Sequence, residues 1–269
     1  MTATDPNRNP AGFDGGAAPG TAPPIAGRAR AGWRGLVLRP ILIVVALVTL
    51  YLVVRGIPAD SIEARYLDGD ELARELREHV WLSILSTVCT IVIAVPLGVL
   101  ITRPGARWIK PVGLGLGNLG QAVPSIGLVV LLALWMGTGT TTVVVALVVY
   151  AVLPVLRNTI VGLEGVDRTV IESARGMGMP KLAVLTRIEL PLAVPVILAG
   201  IRTALVLTFA SATLATFVGG GGLGGGLVAG IGLDRPILSV TYGIVVAALA
   251  LVADWLGLVA EEVLRPKGI

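Results

Sequence analysis

Apolar stretches long enough to cross a bilayer recur along this sequence, and nothing else constrains its folding as much. About 20 residues of helix span a hydrocarbon core. Lipid offers no partner for backbone N–H and C=O groups, so such stretches must be helical. Six are expected, at about Leu36–Val54, Val80–Ile101, Val112–Met136, Thr141–Leu156, Leu192–Val218 and Ile237–Ala260. The third is interrupted by Pro124 and several glycines, and the fourth is short. With 55% hydrophobic and 14% charged residues, the 269-residue chain lies outside the range of soluble domains, and the expected class is an all-α membrane protein.

The charges between the stretches give an orientation. Residues 55–78 carry four Arg against seven Asp and Glu. The next connection holds Arg103, Arg107 and Lys110 without an acid, and residues 137–140 are uncharged. Residues 157–191 hold Arg157, Arg168, Arg175, Lys181 and Arg187, and the tail 261–269 ends in Arg265 and Lys267. Basic residues therefore fall on alternate connections, which predicts both termini on the cytoplasmic side. The net charge of +4 is no signal for nucleic acid. Cys89 lies alone in an apolar run, so no disulfide framework is expected.

Residues 1–35 are rich in Pro, Gly and Ala, and a disordered cytoplasmic tail is expected. Arg28, Arg30, Arg34 and Arg39 before an apolar run have the shape of a signal peptide. No small-residue cleavage motif follows Val54, which favours an uncleaved first membrane helix over residues 36–54. Asp70–Val80 reads as a short amphipathic helix leading into the second span, with Leu72, Ala73, Leu76 and Val80 as its apolar side. Gly113/Gly117 and Gly226/Gly230 are small-residue pairs that let helices approach closely.

Residues 157–191 are longer than a turn between spans needs. Thr169 and Glu172 fit a capping box, Gly176 and Gly178 can end a helix, and Pro180 can open a second one over Lys181–Leu190. Two short helices joined by a glycine turn are expected. Within them, Glu172-Ser173-Ala174, Gly178 and Ile188-Glu189-Leu190-Pro191 match the EAA, three residues, G, nine residues, I-x-L-P pattern, with serine for one alanine. In this the chain resembles the permease subunits of binding-protein-dependent ABC importers. The resemblance implies a type I importer permease fold, with a permease domain over residues 78–260 and cytoplasmic coupling helices within 157–191. It gives the coupling role to Glu172, Ser173, Ala174, Gly176, Gly178, Ile188, Leu190 and Pro191. Gln121–Ser125, Leu153–Thr159, Ala174–Gly178 and Gly200–Ala204 look like the osmoprotectant branch, which carries glycine betaine, choline, carnitine and related compounds. The implied partners are ABC ATPase subunits, a second permease subunit and an extracytoplasmic substrate-binding protein. The chain stops at Ile269, so that binding protein is expected to be separate.

No ATP-binding loop is expected, because Lys110, Lys181 and Lys267 follow Ile109, Pro180 and Pro266 and never glycine. ATP would then be bound by a partner, and no cofactor or metal of the chain's own is expected. Gly115–Gly120 matches GxGxxG but lies in an apolar span without a βαβ unit, so it reads as helix packing. Gly219–Gly226 reads as a flexible turn on the outer side. His79 is the single histidine, too little for metal or triad chemistry.

Arg202 and Asp254 are charges within spans, which cost several kcal/mol unless paired, so they are expected to pair or face the bundle interior. With Gln121, Pro124, Ser125 and Asn158 they are the candidate polar residues of a pathway. Trp135 reads as an interfacial anchor. The remaining readings are an ABC permease for another solute, such as methionine or a sulfonate, and an ion-coupled secondary transporter. The latter predicts midplane acids and inverted repeats, which are not clear here.

Overall fold

In the computed structural model, which describes residues 33–264, the chain is helical throughout its elements. These are α1 (Trp33–Gly56), α2 (Ser61–Tyr66), α3 (Gly69–Thr102), α4 (Lys110–Ala122), α5 (Ser125–Met136), α6 (Thr140–Glu164), α7 (Arg168–Gly176), α8 (Lys181–Val184), α9 (Leu190–Ser211), α10 (Gly224–Gly232) and α11 (Pro236–Val263). Residues 1–32 of the expected tail and residues 265–269, with Arg28, Arg30, Arg265 and Lys267, lie outside the described residues. Residues 33–35, read as tail, belong to α1.

Among the described residues, five helices are long and apolar enough to cross a membrane, and the bent pair α4 and α5 makes six if the two together count as one span. This pair covers the stretch expected over Val112–Met136, which the sequence marks as interrupted by Pro124. It is broken at Val123–Pro124 and bent by 101°. Pro124 has no N–H to give and disfavours helix at Val123, which is extended (φ −74°, ψ 131°). The fourth span is longer than read: α6 runs to Glu164, past Arg157 and Asn158. Hydropathy marks where lipid ends, and a helix continues beyond it wherever its backbone bonds do.

α6 is the hub of the bundle, and neighbouring helices turn glycines towards it. A methyl group on Gly98 of α3 would lie 2.7 Å from the Thr159 side chain, and one on Gly117 of α4 2.9 Å from Leu153. Gly120 faces the Val149 carbonyl, and Gly200 of α9 faces Asn158 and the Pro154 carbonyl. The GxGxxG match is therefore a packing face. Between these contacts lie Ala94, Ile101, Ala151, Val155, Leu156, Ile160 and Ala204, all buried. A polar seam joins α3 to α9. The Thr87 and Thr208 hydroxyls bond at 2.8 Å, and His79 Nε2 lies 2.9 Å from the Phe209 carbonyl, so that nitrogen carries the proton. His79 is a structural strap across the last turn of α9.

The expected amphipathic helix at Asp70–Val80 is the first part of α3, capped by the Asp68 carboxylate. Its deepest residues are Glu75 and His79, whereas Ala73 is exposed. A helix the sequence reading did not contain, α2, opens on a reciprocal capping box between Asp60 and Glu63.

Gly219–Gly226 is a packed plug, contrary to the flexible turn expected. Gly219, Gly221 and Gly222 take positive φ values that other residues resist. The Glu78 carboxylate accepts the Gly222 N–H at 3.0 Å. A methyl group at Gly226 would sit 2.1 Å from the Tyr242 ring, whose hydroxyl donates to the Tyr66 carbonyl at 2.8 Å. Gly226 and Gly230 thus serve the close approach of α10 to α11, and Gly113 and Gly117 that of α4 to Ile101 and Leu153. Gly226→Val must displace the Tyr242 ring and is expected to cost about 1–3 kcal/mol. Thermal unfolding in detergent should show a lowered Tm, and an unchanged one would mean the plug yields freely.

Candidate functional site

The segment that carries the Glu172–Pro191 motif is built from α7, a tight turn, and the start of a long helix. Asp167 caps α7, its carboxylate accepting the Thr169 N–H at 2.8 Å. This replaces the expected Thr169–Glu172 capping box. An aspartate is as good an N-cap as threonine, and starting earlier gains helix length. At the other end, the Met179 N–H bonds the Ala174 carbonyl at 3.2 Å and the Gly178 N–H bonds the Arg175 carbonyl at 2.9 Å. These two bonds form a Schellman motif with Gly178 at its left-handed position, φ +85°. Glycine is needed there because a Cβ would strain that backbone.

Ala174 and Val184 are buried, at 1% and 0% exposure. Glu172, Ser173, Gly176 and Gly178 are exposed, as are the apolar Val170, Met177 and Leu182. Pro180 stands at the N-cap of α8. The second short helix expected over Lys181–Leu190 is not separate. α8 passes through a π turn, Leu185–Glu189, straight into α9. Pro191 has no N–H for the Arg187 carbonyl, and the helix absorbs that defect as the π turn, where the Leu190 N–H reaches back to Leu185. Leu185 and Leu190 pack on Leu163, Ala193 and Ile197, while Ile188 is half-buried.

Two ion pairs at this end were not visible in the sequence. Arg103 Nη2 donates to Glu189 Oε2 at 2.7 Å, with the Glu189 side chain only 5% exposed. Lys110 Nζ donates to both Glu164 oxygens, at 2.8 and 2.7 Å. Glu189 occupies the unspecified position of I-x-L-P, and a carboxylate between Ile188 and Leu190 was the one available signal.

The candidate polar residues fall at three separate places. Gln121, Pro124 and Ser125 surround the α4–α5 break, where Gln121 Nε2 donates to the Tyr150 carbonyl at 3.2 Å. Asn158 lies at the α6–α9 crossing, its amide donating to the Pro154 carbonyl at 2.8 Å. Arg202 and Asp254 pair in two parallel bonds, Nε to Oδ1 at 2.5 Å and Nη2 to Oδ2 at 2.8 Å. Asp254 also accepts from Arg39 Nη1 at 2.6 Å, and Glu261 lies 3.9 Å from Arg202. One carboxylate thereby joins α1, α9 and α11.

With this geometry in view, comparison with known proteins places the chain. Residues 94–262 match the family described as binding-protein-dependent transport system inner membrane component. The chain belongs to this family. It is a multi-pass membrane protein. It is 38% identical over 204 residues to the glycine betaine/carnitine/choline transport system permease protein OpuCB of Bacillus subtilis, covering 75% of this chain and 92% of the relative. It is 40% identical, with the same coverage, to the choline transport system permease protein OpuBB of that organism. To the osmoprotectant import permease protein OsmW of Salmonella typhimurium it is 36% identical, covering 78% of this chain and 99% of the relative. Its fold is that of a chain in inward-facing structures of the MetNI methionine ABC transporter, with TM-score 0.63, 24% identity, and coverage of 72% of this chain and 96% of that one.

Replacing Asp254 by leucine removes the carboxylate shared by Arg39 and Arg202 and leaves Arg202 only the longer contact with Glu261. The expected loss is about 1.5–3 kcal/mol, read as a lower yield of monodisperse protein and a lower Tm. Asp254→Glu, which keeps the charge, should recover part of it.

Proposed function

We propose that this chain is the permease subunit of an ATP-driven importer for osmoprotectants of the quaternary amine type, glycine betaine, choline and carnitine among them. The observation that carries the reading is the 35–40% identity to permeases named for these solutes, which extends over about nine-tenths of the length of OpuCB and OpuBB. The coupling segment supports it independently. Its motif spacing coincides with a rigid, capped projection.

The segment lies on the connection with excess basic residues, which puts it and both termini in the cytoplasm. ATP is bound by partner ATPase subunits, and the chain needs no cofactor of its own. Val170, Met177 and Leu182 form the apolar part of the ATPase docking surface, with Glu172 and Lys181 beside them as polar contacts. A second permease subunit encloses the pathway, and a loaded binding protein docks on the opposite face. Closure of the ATPase subunits moves α7, and the continuous helix from Lys181 carries the motion into the bundle without a hinge of its own. The α4–α5 break, with Gln121, Pro124 and Ser125, and the α6–α9 crossing at Asn158 border the pathway. Arg202 and Asp254 hold the helices around it. Selectivity resides mainly in the binding protein, since aromatic faces suited to a quaternary ammonium are scarce in the spans.

Deletion of this chain is expected to abolish uptake of at least one labelled quaternary amine among betaine, choline and carnitine. Unchanged uptake of all three defeats the cargo assignment. Gly178→Leu should leave the protein inserted and assembled, with uptake reduced about 5–150-fold, the usual span of coupling between sites. Full uptake in that variant counts against the coupling role.

A further inference from the structure

Two carboxylates bracket the coupling segment, and both lean on the same short connector. Glu164 is the last residue of α6, and Glu189 closes the π turn before α9. Their partners are Arg103, directly after α3, and Lys110, the first residue of α4. Between the partners lies a single 3-10 turn, Pro104–Ile109. Residues 165–188 thus leave and rejoin the bundle with each end tied to one end of this turn.

The connector is anchored at Ala106 and Ile109, while Pro104, Gly105 and Trp108 are exposed. Ala106 is buried and its N–H bonds the Arg103 carbonyl at 2.9 Å. Ile109 packs on the cluster that contains Ile101 and Leu156. Arg103 is held three ways, by the Val99 carbonyl at 3.2 Å, the Thr102 hydroxyl at 3.0 Å and Glu189 at 2.7 Å. Motion at Glu189 must therefore reach the end of α3. Motion at Glu164 must reach the start of α4, whose far end is the 101° break beside Pro124.

The geometry points to a strut: the connector Arg103–Lys110, locked by its two ion pairs, carries movement of the coupling segment into α3 and the bent α4–α5 pair. Arg103, Lys110, Glu164 and Glu189 are then positioning residues of the transport cycle. This rests on the importer reading and extends it, because it names how the drive spreads beyond α6 and α9. An ion pair suits the task. It joins elements 54 and 86 residues apart in the chain without fusing their backbones.

A charge-reversal cycle in the full complex tests it. The chain is reconstituted in liposomes with its ATPase and loaded binding protein, and ATP hydrolysis is read with and without the binding protein. Arg103→Glu and Glu189→Arg should each cut the stimulation about tenfold, a common size for coupling between sites. Basal hydrolysis and complex yield should hold, and the double variant should regain most of the stimulation. Lys110→Glu and Glu164→Lys, at a partly exposed pair, should show the same pattern at about threefold. If the single variants keep full stimulation, or a double variant that assembles does not regain it, the strut is overturned. Where Arg103 or Glu189 variants fail to assemble, the Lys110–Glu164 cycle decides alone. An unaltered complex that shows no stimulation overturns the importer reading itself, and the strut with it, so the two failures are distinguishable.

Discussion

Helices in lipid are not drawn together by the hydrophobic effect, because the tails around them are as apolar as their own side chains. Close contact must supply the attraction, and close contact requires something small. In this chain the small groups are glycines aimed at α6 from α3, α4 and α9, at Gly98, Gly117, Gly120 and Gly200. Dispersion and packing then act along the whole crossing. The ion pairs, the polar seam and the packing of Leu185 and Leu190 all depend on that spacing. Arg103 meets Glu189 only because the ends of α3 and α9 are held close.

Around this hub, a few polar side chains tie elements distant in the chain. His79 fastens α3 to the end of α9, and Glu78 holds the glycine plug. Asp254 joins three helices through two arginines. In a low-dielectric setting a polar group gains by pairing, and each such pair fixes one arrangement among many that apolar packing would tolerate.

Much of this was legible in the sequence. The spans follow from hydropathy, and Glu172, Gly178 and Pro191 stand out by their resemblance to the motif of the importer permeases. Gly178 could even be assigned a reason, since a helix that ends in a left-handed residue calls for glycine. Two kinds of feature were not legible. Where a helix runs on past polar residues, hydropathy alone does not mark its end, and α6 continues beyond Arg157 and Asn158 through Ile160 and Leu163 to Glu164. Asp167 and Thr169 compete for one cap, and local rules rank them too closely to decide. The charge pairs were hidden for another reason: Arg103 and Glu189 lie 86 residues apart, and no local pattern links them. The pairing of Arg202 with Asp254 was foreseeable only because both lay inside apolar stretches, where an unpaired charge is costly.

The placement of α1 bears on how the molecule is assembled. This helix packs against α11, the final helix of the described chain, and Arg39 reaches Asp254 across 215 residues. Of these two helices, the one made earlier thus waits for the later one. Until then Arg39 has its charge in reach of the headgroups, where a long side chain can shelter. When α11 arrives, the two helices close the bundle on each other.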